Sequence, residues 1–331
     1  MTSSTKNTDS EVGDFSSEDL WDKVQSQTAH AIACGALQSI PTHCEYIEQN
    51  GVSFLVRSLD TLARKEQAKK RQQKATQSGK PFNPFLPYEE DLFVNNLSET
   101  HLCLLNKYNV VNHHLLIVTR AFEEQETWLN QNDFSALWQC LSEIDGLGFY
   151  NGGKLAGASQ SHKHLQLIPQ FQASGNSTIP LETVLTDVLA QFQGVADAPD
   201  SPDFHDADDG LAQSSDCLPF HHAIAPLLIA PCTSVVQAGE QLVNVYQHLL
   251  TRFVQEVDLK GDRQTLNYNL LVTQRWMMVI PRTQESYASI SVNSLGFAGS
   301  LFVRDENQLQ ILRQTGPMTL LENVAQPKSP Q

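Results

Sequence analysis

The chain has 331 residues, of which 40% are apolar and 18% charged, with a net charge of −15. That length supplies ample core for one large domain or two smaller ones, and the acidity excludes general binding to nucleic acid or anionic membranes. No apolar run approaches the roughly 20 residues of a membrane span, and the polar start lacks the basic-then-apolar pattern of a signal peptide, so a cytoplasmic location is expected.

Residues 1–15 read as disordered. Ser16 to Asp19 has capping-box spacing, and Leu20, Trp21, Val24, Ala31 and Ile32 then recur at helical spacing. Residues 52–56 alternate like a short strand. The basic block that follows holds Arg64, Lys65, Lys69, Lys70, Arg71, Lys74 and Lys80. It reads either as a solvated loop or as the border of a polyphosphate site formed by Arg64 or Lys65.

Residues 102–105, 115–118, 149–150 and 163–168 are strand candidates. A helix over 133–144 carries Phe134, Leu137, Leu141 and Ile144 on one stripe. Residues 179–192 predict a second helix with Pro180 in its first turn. Residues 195–213 are rich in Asp, Pro, Gly and Ser and read as a solvated loop, since EF-hand spacing and its terminal Glu are missing. A long amphipathic helix is expected over 234–254, a hairpin over 266–273 and 275–280, and a strand over 297–303. The expected organisation is a disordered 1–15, a catalytic part over 16–195, an acidic loop over 196–215, a C-terminal part over 216–316 and a tail over 317–331. The six cysteines contain no C-x-x-C pair, which excludes a zinc ribbon or a disulfide framework as the organising device.

His162, His164 and Gln166 stand at two-residue spacing, with Leu165 and Leu167 between and after them. On a strand, alternate residues share a face and lie roughly 6.6 Å apart, so the three polar groups line one side. The small residues of Gly157-Ala158-Ser159-Gln160 precede them and permit close approach of backbone to phosphate. Paired histidines can also be metal ligands or satisfied core groups. Zinc wants three or more protein ligands, usually with cysteine or carboxylate, and no cysteine lies near. A nucleophilic histidine needs one ring nitrogen free and the other donating its proton to a fixed acceptor. Gln166 can donate an amide N–H to a phosphate oxygen but cannot act as a general acid at neutral pH, which favours group transfer over hydrolysis.

The segment from His162 to Gln166 resembles the His-x-His-x-Gln form of the histidine-triad superfamily, in its transferase branch. Residues 106–118 look like the strand-turn-strand that precedes that motif, and Asn151-Gly152-Gly153 like its preceding Asn segment. Gly157-Ala158-Ser159-Gln160, residues 276–282 and residues 292–303 are similar to segments of the ATP adenylyltransferases, also called diadenosine tetraphosphate phosphorylases. The likeness runs from about residue 52 to 316.

The resemblance implies an α+β fold: a histidine-triad-like antiparallel sheet flanked by helices, with a C-terminal extension completing the site. It implies that His164 attacks the α-phosphorus of a dinucleoside polyphosphate, ATP leaves, and inorganic phosphate takes the adenylyl group to give ADP, reversibly. His162 is then a supporting group. Gly157, Ala158, Ser159, Gln160 and Gln166 contact the phosphate chain, and Asn106 and Lys107 line the nucleotide site. Asn151 supports the α-phosphate or the nucleophile. Asn293, Ser294 and Leu295 bind the second nucleotide, with Ser300 and Arg304 standing where the family has Met and Lys. Lys65 matches the family's lysine before a Pro-rich segment, and His113 is an orienting or a core residue. The implied partners are diadenosine tetraphosphate, ATP, ADP and phosphate. No tightly bound cofactor is implied beyond magnesium travelling with the nucleotide, and the expected state is a monomer or weak homo-oligomer. Hexose-1-phosphate uridylyltransferase shares the motif but needs paired cysteines for its zinc; a dinucleoside polyphosphate hydrolase needs a third histidine; a non-catalytic nucleotide sensor does not need His164.

Overall fold

A computed structural model describes residues 19–59, 83–169, 179–196, 212–254 and 263–328. Lys65 with its basic block, Ser16 and most of the acidic loop lie outside the described residues. The helices are α1 (Leu20–Ala33), α2 (Gln131–Leu141), α3 (Thr186–Ala196), α4 (Val235–Thr251), α5 (Ser294–Phe297), α6 (Glu306–Thr315) and α7 (Pro317–Val324). The strands are β1 (Thr42–Gln49), β2 (Val52–Leu59), β3 (Phe93–Asn96), β4 (His101–Leu105), β5 (Leu115–Thr119), β6 (Gly146–Gly152), β7 (His164–Pro169), β8 (Ala223–Pro226), β9 (Tyr268–Val272), β10 (Trp276–Pro281), β11 (Ser286–Tyr287), β12 (Ile290–Ser291) and β13 (Ser300–Val303).

An eight-stranded antiparallel sheet runs in the order β3-β4-β5-β7-β6-β9-β10-β8. A second sheet, β1-β2-β13, pairs β2 with β13 in parallel. The fold is thus α+β. Strand residues alternate faces, and the two faces have different cover. Cys103, Leu105, Leu115, Ile117, Leu165 and Leu167 share a core with Leu137 and Leu141 of α2 and with Leu242, Val245 and Leu249 of α4. On the other face, Leu102, Leu104, Leu116 and Val118 gather around Phe85. Farther along that face, Phe149, Leu271, Met278 and Ile280 pack with Val56, Leu301 and Val324. Because both faces are covered, β4 and β5 are buried at every position and their sequences read as apolar runs without alternation. Each fully buried aliphatic side chain there contributes about 1.5–3 kcal/mol.

Several boundaries differ from the sequence reading. Asp19 caps α1, its side chain accepting from Trp21 N at 3.3 Å, so the helix starts at Leu20. The helix expected over 179–192 is divided: a 3-10 turn, Pro180–Val184, is tied to the β1–β2 turn where Thr183 Oγ1 donates to Gly51 O at 3.0 Å, and α3 follows. The strand expected from Phe297 starts at Ser300, after α5 and Gly299. Residues after Gly316 do not form a loose tail through 328: Pro317 opens α7, which buries Met318, Leu320, Leu321 and Val324. Strand β1 went unpredicted because its sequence, THCEYIEQ, is mostly polar and none of it is fully buried, as suits the edge of a sheet.

Candidate active site

His164 opens β7 with only 6% of its surface exposed. Its Nδ1 lies 2.8 Å from the carbonyl oxygen of His162. A carbonyl only accepts, so Nδ1 carries the proton and Nε2 keeps its lone pair. Nε2 has no hydrogen-bond partner among the described residues. Burial drives the pKa of His164 down to about 4, against the opposing hydrogen bond to His162. The ring is therefore neutral near pH 7, the form a nucleophile requires.

His162 is differently placed. It precedes the strand, in an isolated bridge to Glu124. Its Nε2 donates to Thr119 O at 2.8 Å, and its Nδ1 accepts from Asn83 Nδ2 at 3.0 Å. Both ring nitrogens of His162 are used, whereas Nε2 of His164 is not, among the described residues. Burial lowers its pKa, with its carbonyl contacts opposing. Phe85 lies against both rings, at 5.5 and 5.3 Å between centroids. Lys163 projects to the opposite face of the strand and is 1% exposed. Its Nζ reaches Asp133 Oδ2 at 2.7 Å and Trp128 O at 3.0 Å, and His101 Nε2 meets Asp133 Oδ1 at 3.0 Å. Burial pushes the Asp133 carboxyl up, but the His101 hydrogen bond and the Lys163 charge outweigh it and hold it below its ordinary value.

The β6–β7 ladder runs from Gly146↔Pro169 to Phe149↔Gln166 and stops there. Continued in register, it would pair Asn151 with His164. The side chain of Gln125 fills that gap. Its Oε1 accepts from His164 N at 2.9 Å, and its Nε2 donates to Asn151 O at 3.1 Å and His164 O at 3.3 Å. Gln125 thus substitutes for a strand partner and fixes the backbone of His164. Sequence reasoning missed it, because nothing local marks a glutamine in a loop as a partner of a strand 39 residues away.

A relay fixes Gln166. Asn106 Nδ2 donates to His114 Nδ1 at 3.1 Å, so His114 Nε2 holds a proton and donates to Gln166 Oε1 at 3.0 Å. The amide NH₂ of Gln166 is left without a partner among the described residues, available to an incoming oxygen. Burial lowers the pKa of His114 to about 4, so the relay stays neutral. The orienting residue is His114 and not His113. His113 adopts φ +56° and turns away, meeting Thr28 Oγ1 at 3.1 Å and the Trp21 ring at 5.1 Å.

Asn151, expected to support the α-phosphate or the nucleophile, and Ser294, expected at the second nucleotide, hydrogen-bond each other. Asn151 Oδ1 accepts from Ser294 N at 2.9 Å and from Asn269 Nδ2 at 3.0 Å. Arg282, the last residue of the 276–282 segment, braces this group. Its guanidinium donates to Asn269 Oδ1 and to the carbonyls of Val292 and Val324. Asn151 is linked to His164 through its backbone, by way of Gln125.

Asn293 caps α5 and is exposed, and together with Gly157, Leu295 and Ser300 it lines a cleft of about 280 Å³. Gly157 sits at φ +88°, where an added Cβ would lie 2.9 Å from Val292 O. Only glycine permits both that conformation and that approach. Ala158, Ser159 and Gln160 lead from this cleft to His162; Ser159 is exposed and Gln160 half-buried. Lys107 is tied to Glu89 at the surface, and Arg304 Nη2 donates to Ser289 O at 3.0 Å. Of potential metal ligands, the described residues bring together one group, His30, Cys34 and Asp91, exposed on α1 and the Glu90–Leu92 turn. No helix among the described residues is long and apolar enough to cross a membrane.

Comparison with known proteins follows these contours. A family model described as the Ap4A phosphorylase N-terminal domain matches residues 10–187, and one described as the ATP adenylyltransferase C-terminal domain matches residues 216–327. The chain is 28% identical over 321 residues to diadenosine 5',5'''-P1,P4-tetraphosphate phosphorylase 2 of Saccharomyces cerevisiae, spanning 90% of this chain and 91% of that protein. Crystal structures of yeast Ap4A phosphorylase Apa2 share the fold. The complex with AMP has a TM-score of 0.71 at 24% identity, covering 94% of this chain and 98% of that one. The complex with Ap4A has a TM-score of 0.70 at 24% identity, covering 95% and 99%.

Proposed function

The chain belongs to the family of Ap4A phosphorylases and ATP adenylyltransferases, and from that premise we propose that it phosphorolyses diadenosine tetraphosphate (Ap4A) to ADP and ATP, reversibly, through an adenylyl-histidine intermediate. The observation that carries this reading is the 2.8 Å hydrogen bond from His164 Nδ1 to His162 O, which leaves Nε2 as a free lone pair.

In the first step Nε2 attacks the α-phosphorus. A P–N bond forms, the bridging P–O bond breaks, and ATP departs with the electron pair. In the second step an oxygen of inorganic phosphate attacks the same phosphorus, the P–N bond breaks, and ADP leaves. Splitting one displacement into two lowers each barrier. The free NH₂ of Gln166 donates to a non-bridging oxygen, where it stabilises charge that grows in the transition state. A glutamine supplies no proton to a leaving group, and none is needed, because a polyphosphate leaves as a stable anion. Phe85 packs an apolar ring against His162 and His164 and limits water beside the intermediate. Magnesium would enter with the polyphosphate as its counterion.

The deciding experiment incubates the protein with Ap4A, with and without phosphate. ADP plus ATP formed only with phosphate supports the proposal. AMP plus ATP without phosphate identifies a hydrolase, and two ADP a symmetrical one. A His164→Gly variant should lose the labelled adenylyl-protein; persistent label on it removes His164 from the role.

A further inference from the structure

An acidic protein that handles a polyanion must place a cation where the phosphates lie. The basic block around Lys65 lies outside the described residues, but the cleft of about 280 Å³ has one basic side chain of its own, Arg57. Arg57 stands on β2, the central strand of the small sheet, paired with Cys44 of β1 on one side and Phe302 of β13 on the other. Its position is therefore fixed by backbone on both flanks.

Its guanidinium is poorly matched by the protein. Nη1 donates to Cys44 Sγ at 3.4 Å, and a thiol sulfur is a weak acceptor. Nε is buried with no hydrogen-bond partner among the described residues. Glu285 is the one carboxylate among the lining residues. Among the described residues, Cys44 Sγ is thus the one acceptor seen for the five N–H donors of Arg57, and a weak one. Buried donors are nearly always satisfied, and an orphan of this kind points to an absent partner. The remaining wall is apolar where Val110, Val111, Leu295 and Phe302 meet, a surface suited to a purine face and a ribose edge. The volume of about 280 Å³ falls just below the range of about 300–1,000 Å³ typical of ligand sites.

We propose that Arg57 is the phosphate-binding cation of this cleft, engaging a phosphate of the nucleotide whose base and ribose rest on the apolar wall. The planar fork suits the ligand, because guanidinium pairs bidentately with phosphate oxygens. The inference rests on the nucleotide-transfer reading for the choice of ligand.

The test is calorimetric binding of ADP, AMP and adenosine to the full chain, to Arg57→Gln and to Arg57→Lys. The Gln variant should bind ADP about ten- to a hundredfold more weakly, the range of a charge-assisted hydrogen bond, with adenosine affinity unchanged. The Lys variant should recover part of the loss, and rising salt should weaken ADP binding to the wild type more than to the Gln variant. An equal loss for adenosine and ADP makes Arg57 a shape element and overturns the proposal, as does no loss. If the Gln variant fails to fold, the wild-type and Lys proteins still decide: ADP affinity that is insensitive to both salt and the Lys change overturns it. Absence of Ap4A phosphorolysis would defeat the proposed activity while leaving the difference between ADP and adenosine intact, so the two failures are distinguishable.

Discussion

Replacing Gln125 by alanine removes the amide that stands in for a strand partner between Asn151 and His164. Three hydrogen bonds go, and the backbone N–H of His164 is left buried. A net hydrogen bond contributes about 1 kcal/mol and an orphaned buried donor costs about 1–3 kcal/mol, so the variant should lose roughly 2–4 kcal/mol of stability. The catalytic loss should be larger than stability alone implies. With the β6–β7 ladder ended at Phe149↔Gln166, nothing else on that side holds the first residue of β7, and a shift of about 1 Å in a nucleophile costs about 10²-fold in rate. Rapid-quench measurement of adenylyl-enzyme formation from Ap4A, below the melting transition, reads that rate directly. Ground-state binding of ADP should be nearly unchanged, which separates positioning from general damage. A Gln125→Ala protein that forms the intermediate at the wild-type rate, however unstable, would show that the clamp serves the fold and not the nucleophile.

Two further outcomes follow from the same geometry. With its pKa held at about 4 by burial, His164 is unprotonated through the neutral range; intermediate formation should stay level as pH falls from 7 and drop only on approach to about 4, whereas a midpoint near the ordinary value of about 6.5 in single-turnover profiles would contradict the buried ring. Lys163→Met should destabilise the protein by about 3–5 kcal/mol in chemical denaturation, since it strands the Asp133 carboxylate in the core; adding Asp133→Asn should restore much of that, and strictly additive losses would refute the pairing.

The nucleophile strand was readable because its signal is local. Alternation of His164, Leu165, Gln166 and Leu167 is a two-residue pattern that survives any tertiary arrangement. Gln125 was not readable, because its role depends on where a ladder stops. Which histidine faces Gln166 depends on one backbone angle: φ +56° at His113 turns it away, and His114, just before β5, meets Gln166. The sequence treated Ser294 as a ligand residue; it is fully buried and hydrogen-bonded to Asn151, which only the packing of α5 on β6 could reveal. Helix α7 was lost for a simpler reason: the signature ends at Gly316, and the apolar residues beyond it were too few to stand out as a periodic segment.

The seam between β6 and β9 has a consequence for how the chain is made. The two family matches end and begin on either side of the acidic segment, yet the main sheet crosses from one to the other through the β6–β9 ladder, from Gly148↔Val272 to Gly152↔Tyr268. The small sheet crosses again where β13 joins β2. On the ribosome, the first half emerges with β6 as an open edge and waits for β9. Until β9 arrives, that unpaired edge is available to any other strand. Severed between the two matches, the halves should find each other and rebuild one sheet, whereas either half expressed alone should pair with copies of itself.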